Sequence, residues 1–163
     1  MPQGTVSSEH YIFVNSGASS GCYGNFLWDA KDIPYVAVQD QPLYCSLEHV
    51  HGVSASPRML AASIVARYCR ILALVLRIPI SKAKLAARQA VYDDASLILQ
   101  SCARSARHVF VFIDFNDTVV EFASPGIGTV GDAAPLDVGG EFLANCMVRC
   151  YLCAPATFGA WQQ

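Results

Sequence analysis

The longest apolar run in the chain, Met59 to Ile80 (MLAASIVARYCRILALVLRIPI), constrains the fold more than any other stretch. A run of this length is long enough to cross a bilayer as a helix. Arg67, Arg70 and Arg77 interrupt it, however, and Pro79 closes it. An arginine near the centre of a span costs about 2.5–3.5 kcal/mol on insertion scales. The run therefore belongs inside a folded domain, and no transmembrane span is expected. It reads as a helix from about Pro57 to about Ile78, with Ser63, Arg67, Arg70 and Arg77 near one stripe. A second helix follows, with Ser81 as N-cap and the good helix formers of KAKLAARQAVYDDASLILQSCAR as its body.

The rest of the chain adds strands. Pro34–Val38 reads as a short strand, and Tyr11–Val14 is a short apolar run. Asn25–Ala30 begins a helix or closes a loop, Tyr44–Val50 is ambiguous, and Gly52–Pro57 reads as a loop. The clearest β signal is His108–Asp114 (HVFVFID) followed by Thr118–Phe122 (TVVEF), with Phe115, Asn116 and Asp117 as the turn of a hairpin. A third helix is expected over Gly140–Cys153. Strands, two helices, a hairpin and a helix make an α+β chain.

At 163 residues, 53% hydrophobic and only 15% charged, the chain is too apolar for a disordered one. It reads as one domain over residues 1–163, with residues 1–9 as a flexible N-terminus. That N-terminus has neither a basic nor an apolar signal region, which points to a cytoplasmic protein, or to one delivered into a host cell if it is an effector. The net charge of −2 conceals an asymmetry. Residues 58–107 carry +7, and the flanks carry −9. Arg67, Arg70 and Arg77, with Lys82, Lys84 and Arg88, are thus candidates for binding an acidic protein, a phosphate or a lipid headgroup. Only Tyr68 and Tyr92 interleave the basic residues as stacking platforms, so nucleic acid is not expected.

Seven cysteines is an odd count, which disfavours a disulfide scaffold. Cys150-x2-Cys153 has no second pair at zinc spacing, so no metal is expected, and no cofactor motif stands out. Cys146, Cys150 and Cys153 read as packing residues along the third helix, and His49 and His51 as loop or surface residues. Cys22 differs. It lies in the small-residue segment Ser19-Ser20-Gly21-Cys22-Tyr23-Gly24, which lets a substrate approach the backbone. If YGNFLW forms a short helix, the thiol sits at a helix N-terminus, where its pKa falls and its own N–H faces an oxyanion. His108, which opens a strand, is the candidate base.

Gly21, Cys22, Trp28 and the His108-led hairpin together resemble the papain-like cysteine peptidases. They are most similar to the effector cysteine proteases of the YopT/AvrPphB type and to small viral leader proteinases. The resemblance spans about residues 10–153. It implies a papain-like arrangement with a helical middle section and a C-terminal antiparallel hairpin packed on helices. It also implies a thiol-dependent hydrolase acting on a protein or peptide substrate, with Cys22 as nucleophile and His108 as base. Phe122-Ala123-Ser124-Pro125 stands where the family has Phe-Asp-Pro, so Ser124 or an unseen carboxylate such as Asp132 orients the ring. In the serine-protease template, loss of that carboxylate costs about 10⁴ in turnover. Asn15 and Ser16 are candidates for a second oxyanion donor. Amidase or transferase chemistry fits the same dyad. The alternative is a non-catalytic α+β interaction domain that binds an acidic partner through its basic helices.

Overall fold

The computed structural model describes residues 3–17, 24–79, 84–102, 104–116, 125–128 and 138–155. Three antiparallel strands open the chain in the order β1 (Gly4–Ser7), β2 (Tyr11–Asn15) and β3 (Phe26–Ala30). Residues 4–7, expected as part of a flexible terminus, instead pair with β2 from Gly4↔Asn15 to Ser7↔Ile12. The edge of β2 supplies the hydrogen-bonding groups that order them. β3 is strand where the sequence leaves Asn25–Ala30 between the start of a helix and the end of a loop. Phe26, Leu27 and Trp28 are aromatic and apolar residues that fit a half-buried pleat, and β2 offers them a ladder.

β4 (Pro34–Val38) and β5 (Gln41–Tyr44) form a separate two-stranded hairpin, and β4 has the bounds its sequence predicts. Gln39 and Asp40, both left-handed at φ 51° and 60°, make its two-residue turn. A 3-10 turn, Leu47–His49, leads into the main sheet.

That sheet runs β6 (Val50–Ser56), β7 (Met59–Ala66), β8 (Cys69–Arg77) and β9 (His108–Asp114), in that order. β6, β7 and β8 are antiparallel neighbours. The helix expected over 57–78 is thus a strand hairpin that turns at Arg67-Tyr68, and there is no helical middle section at that point. β8 and β9 run the same way. Arg107 N–H donates to Arg70 O at 2.8 Å, and further along Ile78 N–H donates to Asp114 O at 3.1 Å. A parallel neighbour needs a long crossover, and here α1 (Leu85–Cys102) lies in the connection.

Alternation along the hairpin divides its side chains between two faces. Leu60, Ala62, Ile64 and Val75 belong to a core cluster with Ile12, Val14, Cys45 and Val50. Ala61, Ser63, Val65, Arg70, Leu72 and Leu74 point the other way, by the pairs Ala61↔Leu74, Ser63↔Leu72 and Val65↔Arg70. Leu72, Leu74 and Leu76 are almost wholly buried, and each such side chain contributes about 1.5–3 kcal/mol by leaving water.

By internal contacts the chain forms two compact units. One comprises Met1–Arg77 and Ser101–Ile113, the other Ile78–Gln100 and Asp114–Gln163. The first holds the sheets described above. In the second, α1 and α2 (Val138–Cys150) meet through the Tyr92 and Phe142 rings, 6.3 Å apart, and through Ser96 Oγ donating to Cys146 Sγ at 3.7 Å. α2 stops three residues before the expected Cys153. Tyr151 turns left-handed at φ 54°, and Leu152 N–H closes back on Met147 O at 2.9 Å. Gly126 lies against this turn and accepts from Ala154 N–H at 2.8 Å; a Cβ there would collide with Leu152 O. The fold is α+β, with a mixed main sheet. Thr118–Phe122, the expected second strand of the C-terminal hairpin, lies outside the described residues.

Candidate functional site

The residues of the proposed dyad fall unevenly on the structure. Cys22, Ser124 and Asp132 lie outside the described residues. His108 is the first residue of β9, exposed, on the face it shares with Phe110 and Phe112. Asn15 and Ser16 are buried with their polar groups on backbone. Asn15 Nδ2 donates to Gly4 O at 3.1 Å, and its Oδ1 accepts from Gly17 N–H at 3.1 Å. Ser16 Oγ accepts from Asn25 N–H at 2.9 Å and donates to Gly17 O at 3.3 Å. Ser16 N–H also donates to Asn25 O at 3.1 Å. These bonds join the two strands that flank the segment carrying Cys22; they commit the single Ser16 hydroxyl proton and leave Asn15 one amide N–H. Because residues 26–30 are strand, the helix terminus expected to lower the Cys22 pKa is not formed by that segment.

The cysteines and histidines elsewhere are mostly structural. Burial, and then the neighbouring Asp29, push the Cys45 thiol up to about 12. Burial and Asp29 also raise Cys69. Burial pushes Cys146 up to about 11 against the Ser96 hydrogen bond, which lowers it. Such thiols are poor nucleophiles near neutral pH. Of the expected packing trio, Cys146 is buried, Cys150 partly buried and Cys153 exposed beyond the helix end. His49 Nδ1 accepts from Ser46 N–H at 3.1 Å and so completes the cap of the 3-10 turn. Among the described residues, no three His, Cys, Asp or Glu side chains come together as a metal site.

The basic residues are rearranged. Arg67, Arg70 and Arg77 are not one helical stripe. Arg67 occupies the β7–β8 turn with its guanidinium 5.1 Å from the Tyr68 ring centre, and Arg70 follows on β8. Arg77 ends β8, about 23 Å beyond Arg70 at 3.3 Å per residue, and is partly buried. Arg88 is buried on α1, Lys84 is exposed, and Lys82 lies outside the described residues.

What the fold brings to Arg67 and Arg70 is a second basic turn. Ser105 and Ala106 N–H both donate to Cys102 O, at 3.1 and 3.3 Å, and Ser105 Oγ joins them at 2.8 Å. This turn carries Arg104 and delivers Arg107 to the Arg70 carbonyl. Arg67, Arg70, Arg104, Arg107 and His108 therefore meet at one end of the main sheet, all exposed. Among the described residues, no carboxylate is paired with Arg67, Arg70, Arg104 or Arg107. Sequence reasoning counted Arg104 and Arg107 as basic but did not place them here. The signal was the segment Arg104-Ser105-Ala106-Arg107-His108, a basic turn between a helix and a strand.

Beside Arg70 lies a half-open cavity of about 340 Å³. Val65 and Leu72 give it apolar walls, and Ser63, Cys102 and Ser105 line it with Arg70. No helix among the described residues is long and apolar enough to cross a membrane. No family model, curated protein or solved structure matches the chain.

Proposed function

We propose that this chain is an interaction domain that holds an acidic segment of a partner protein at the arginine-rich end of its main sheet. The observation that carries the reading is the convergence of Arg67, Arg70, Arg104 and Arg107, exposed and paired with no described carboxylate. Guanidinium groups take carboxylates in a planar two-point fork, so four of them at one sheet end suit a run of Asp or Glu. The test is binding of a fluorescent Glu-rich peptide at low salt, to the parent chain and to Arg67→Glu/Arg107→Glu. We expect binding that weakens with added salt, and at least tenfold weaker binding by the variant. No binding, or equal binding by both proteins, overturns the reading.

A second reading keeps the thiol hydrolase, with Cys22 attacking an acyl carbon and His108 taking and returning the proton. What favours it is the placement of His108, exposed at the head of β9 and held there by the Arg107–Arg70 backbone bond. Its test is alkylation at pH 6 with peptide mapping. Selective fast labelling of Cys22 supports it, and labelling no faster than that of exposed Cys153 sinks it.

A further inference from the structure

The cavity beside Arg70 belongs to the same end of the sheet but differs in chemistry from the open arginine cluster. Its floor is one face of the β7–β8 hairpin, where Ser63 pairs with Leu72 and Val65 with Arg70. Its wall is the turn that follows α1, represented by Cys102 and Ser105. One charged fork thus stands at a mostly apolar space of about 340 Å³, which is within the range of small-ligand sites. The backbone donors of the wall are already committed, since Ser105 and Ala106 N–H bond to Cys102 O and Arg107 N–H to Arg70 O. The charge-matching donor left at the cavity is therefore the Arg70 guanidinium, with the Ser63 hydroxyl beside it, since the Ser105 hydroxyl already donates to Cys102 O.

That inventory selects a ligand. A phosphate dianion needs several donors to leave water, and a single guanidinium does not replace them. A carboxylate matches one guanidinium face to face through two parallel hydrogen bonds. The apolar walls call for an apolar group attached next to that carboxylate. Arg67, Arg104 and Arg107 lie outside the cavity on the same end and extend the positive field away from it.

We infer that the cavity receives the C-terminal residue of an acidic partner: its free carboxylate on Arg70, its apolar side chain between Val65 and Leu72, and the preceding acidic residues on the outer arginines. This inference rests on the acidic-partner reading and sharpens it from an acidic segment to an acidic tail with an apolar last residue.

Two peptides of identical acidic sequence test it, one ending in leucine with a free carboxylate and the other amidated at the same leucine. Each is titrated against the full chain by fluorescence anisotropy, with hexanoate as a competing free acid. We expect amidation to weaken binding at least tenfold. Val65→Trp, which fills the cavity from a half-exposed position, should weaken the free-acid peptide to the level of the amidated one. Equal binding of the two peptides overturns the inference. If that equal binding still falls with Arg67→Glu/Arg107→Glu, the acidic-partner reading stands without it; if neither peptide binds, both fail. Displacement of the peptide by hexanoate at equal concentration overturns the assignment to a protein tail. The peptide comparison uses only the parent chain, so the test holds even if a variant fails to fold.

Discussion

The hairpin over 59–77 and the helix over 85–102 are alike in length and both read as helices in the sequence, yet one is strand and the other helix. Their burial patterns explain the difference. On α1 the buried residues are Arg88, Val91, Tyr92, Ala95, Ser96 and Leu99, a stripe recurring every three or four positions. On the hairpin the half away from the turn is buried without a break, with Met59 to Ala62 all buried and Leu72 to Leu74 likewise, while residues 63–71 are partly or fully exposed. A strand covered on both faces shows no alternation, so by composition alone it reads as a helix. A solvated face reveals its period, and a fully buried segment conceals it.

The largest effect that sharpens this contrast is on the hairpin. Leu74→Ala removes a side chain with no exposed surface and should cost about 2–5 kcal/mol in urea unfolding. A loss as small as that of Leu97→Ala on the exposed side of α1, within about 0.5 kcal/mol, would break the comparison. A smaller effect concerns the opposite face of the hairpin, where Cys45 packs with Leu60 and Ala62. Its folded pKa of about 12 lies above the ordinary 9.0, so the unfolded thiol loses its proton first. That contribution to stability is complete below pH 9 and declines from there toward pH 12, by at most about 1.4 kcal/mol per pH unit. Cys45→Ala should flatten the alkaline decline relative to the parent, measured as unfolding midpoint against pH. An unchanged slope would show that Cys45 is not held neutral by its surroundings.

Much of the fold was legible where local chemistry was decisive. β9 and β4 have their predicted bounds because alternating or β-branched residues end at polar breaks. α1 was legible from its helix formers. The hairpin was not, although a cue existed: Arg67-Tyr68 divides the apolar run into two halves of eight and nine residues, each of strand length. That pair read as part of a helical stripe because three arginines at 67, 70 and 77 mimic helical spacing.

The candidate site followed the same division. The charge asymmetry was visible in the sequence, and Arg67 and Arg70 were singled out from it. Arg77 was grouped with them on a helix that does not form, and the strand carries it to the far end of the sheet. Arg104 and Arg107 join instead, across some forty residues of sequence, because β9 returns parallel to β8 and its first hydrogen bond lands on Arg70.

By itself, then, the sequence determined an apolar, weakly charged α+β chain with a basic middle, one strong helix and a His-led strand, since these depend on composition and nearest neighbours. Only the tertiary structure decided that the longest apolar run is a strand pair and which arginines share a surface. Both depend on what covers the second face of a strand and on which strand edge pairs with which. Those are contacts between residues distant in the chain, which a local pattern such as the Arg67-Tyr68 break hints at but does not fix.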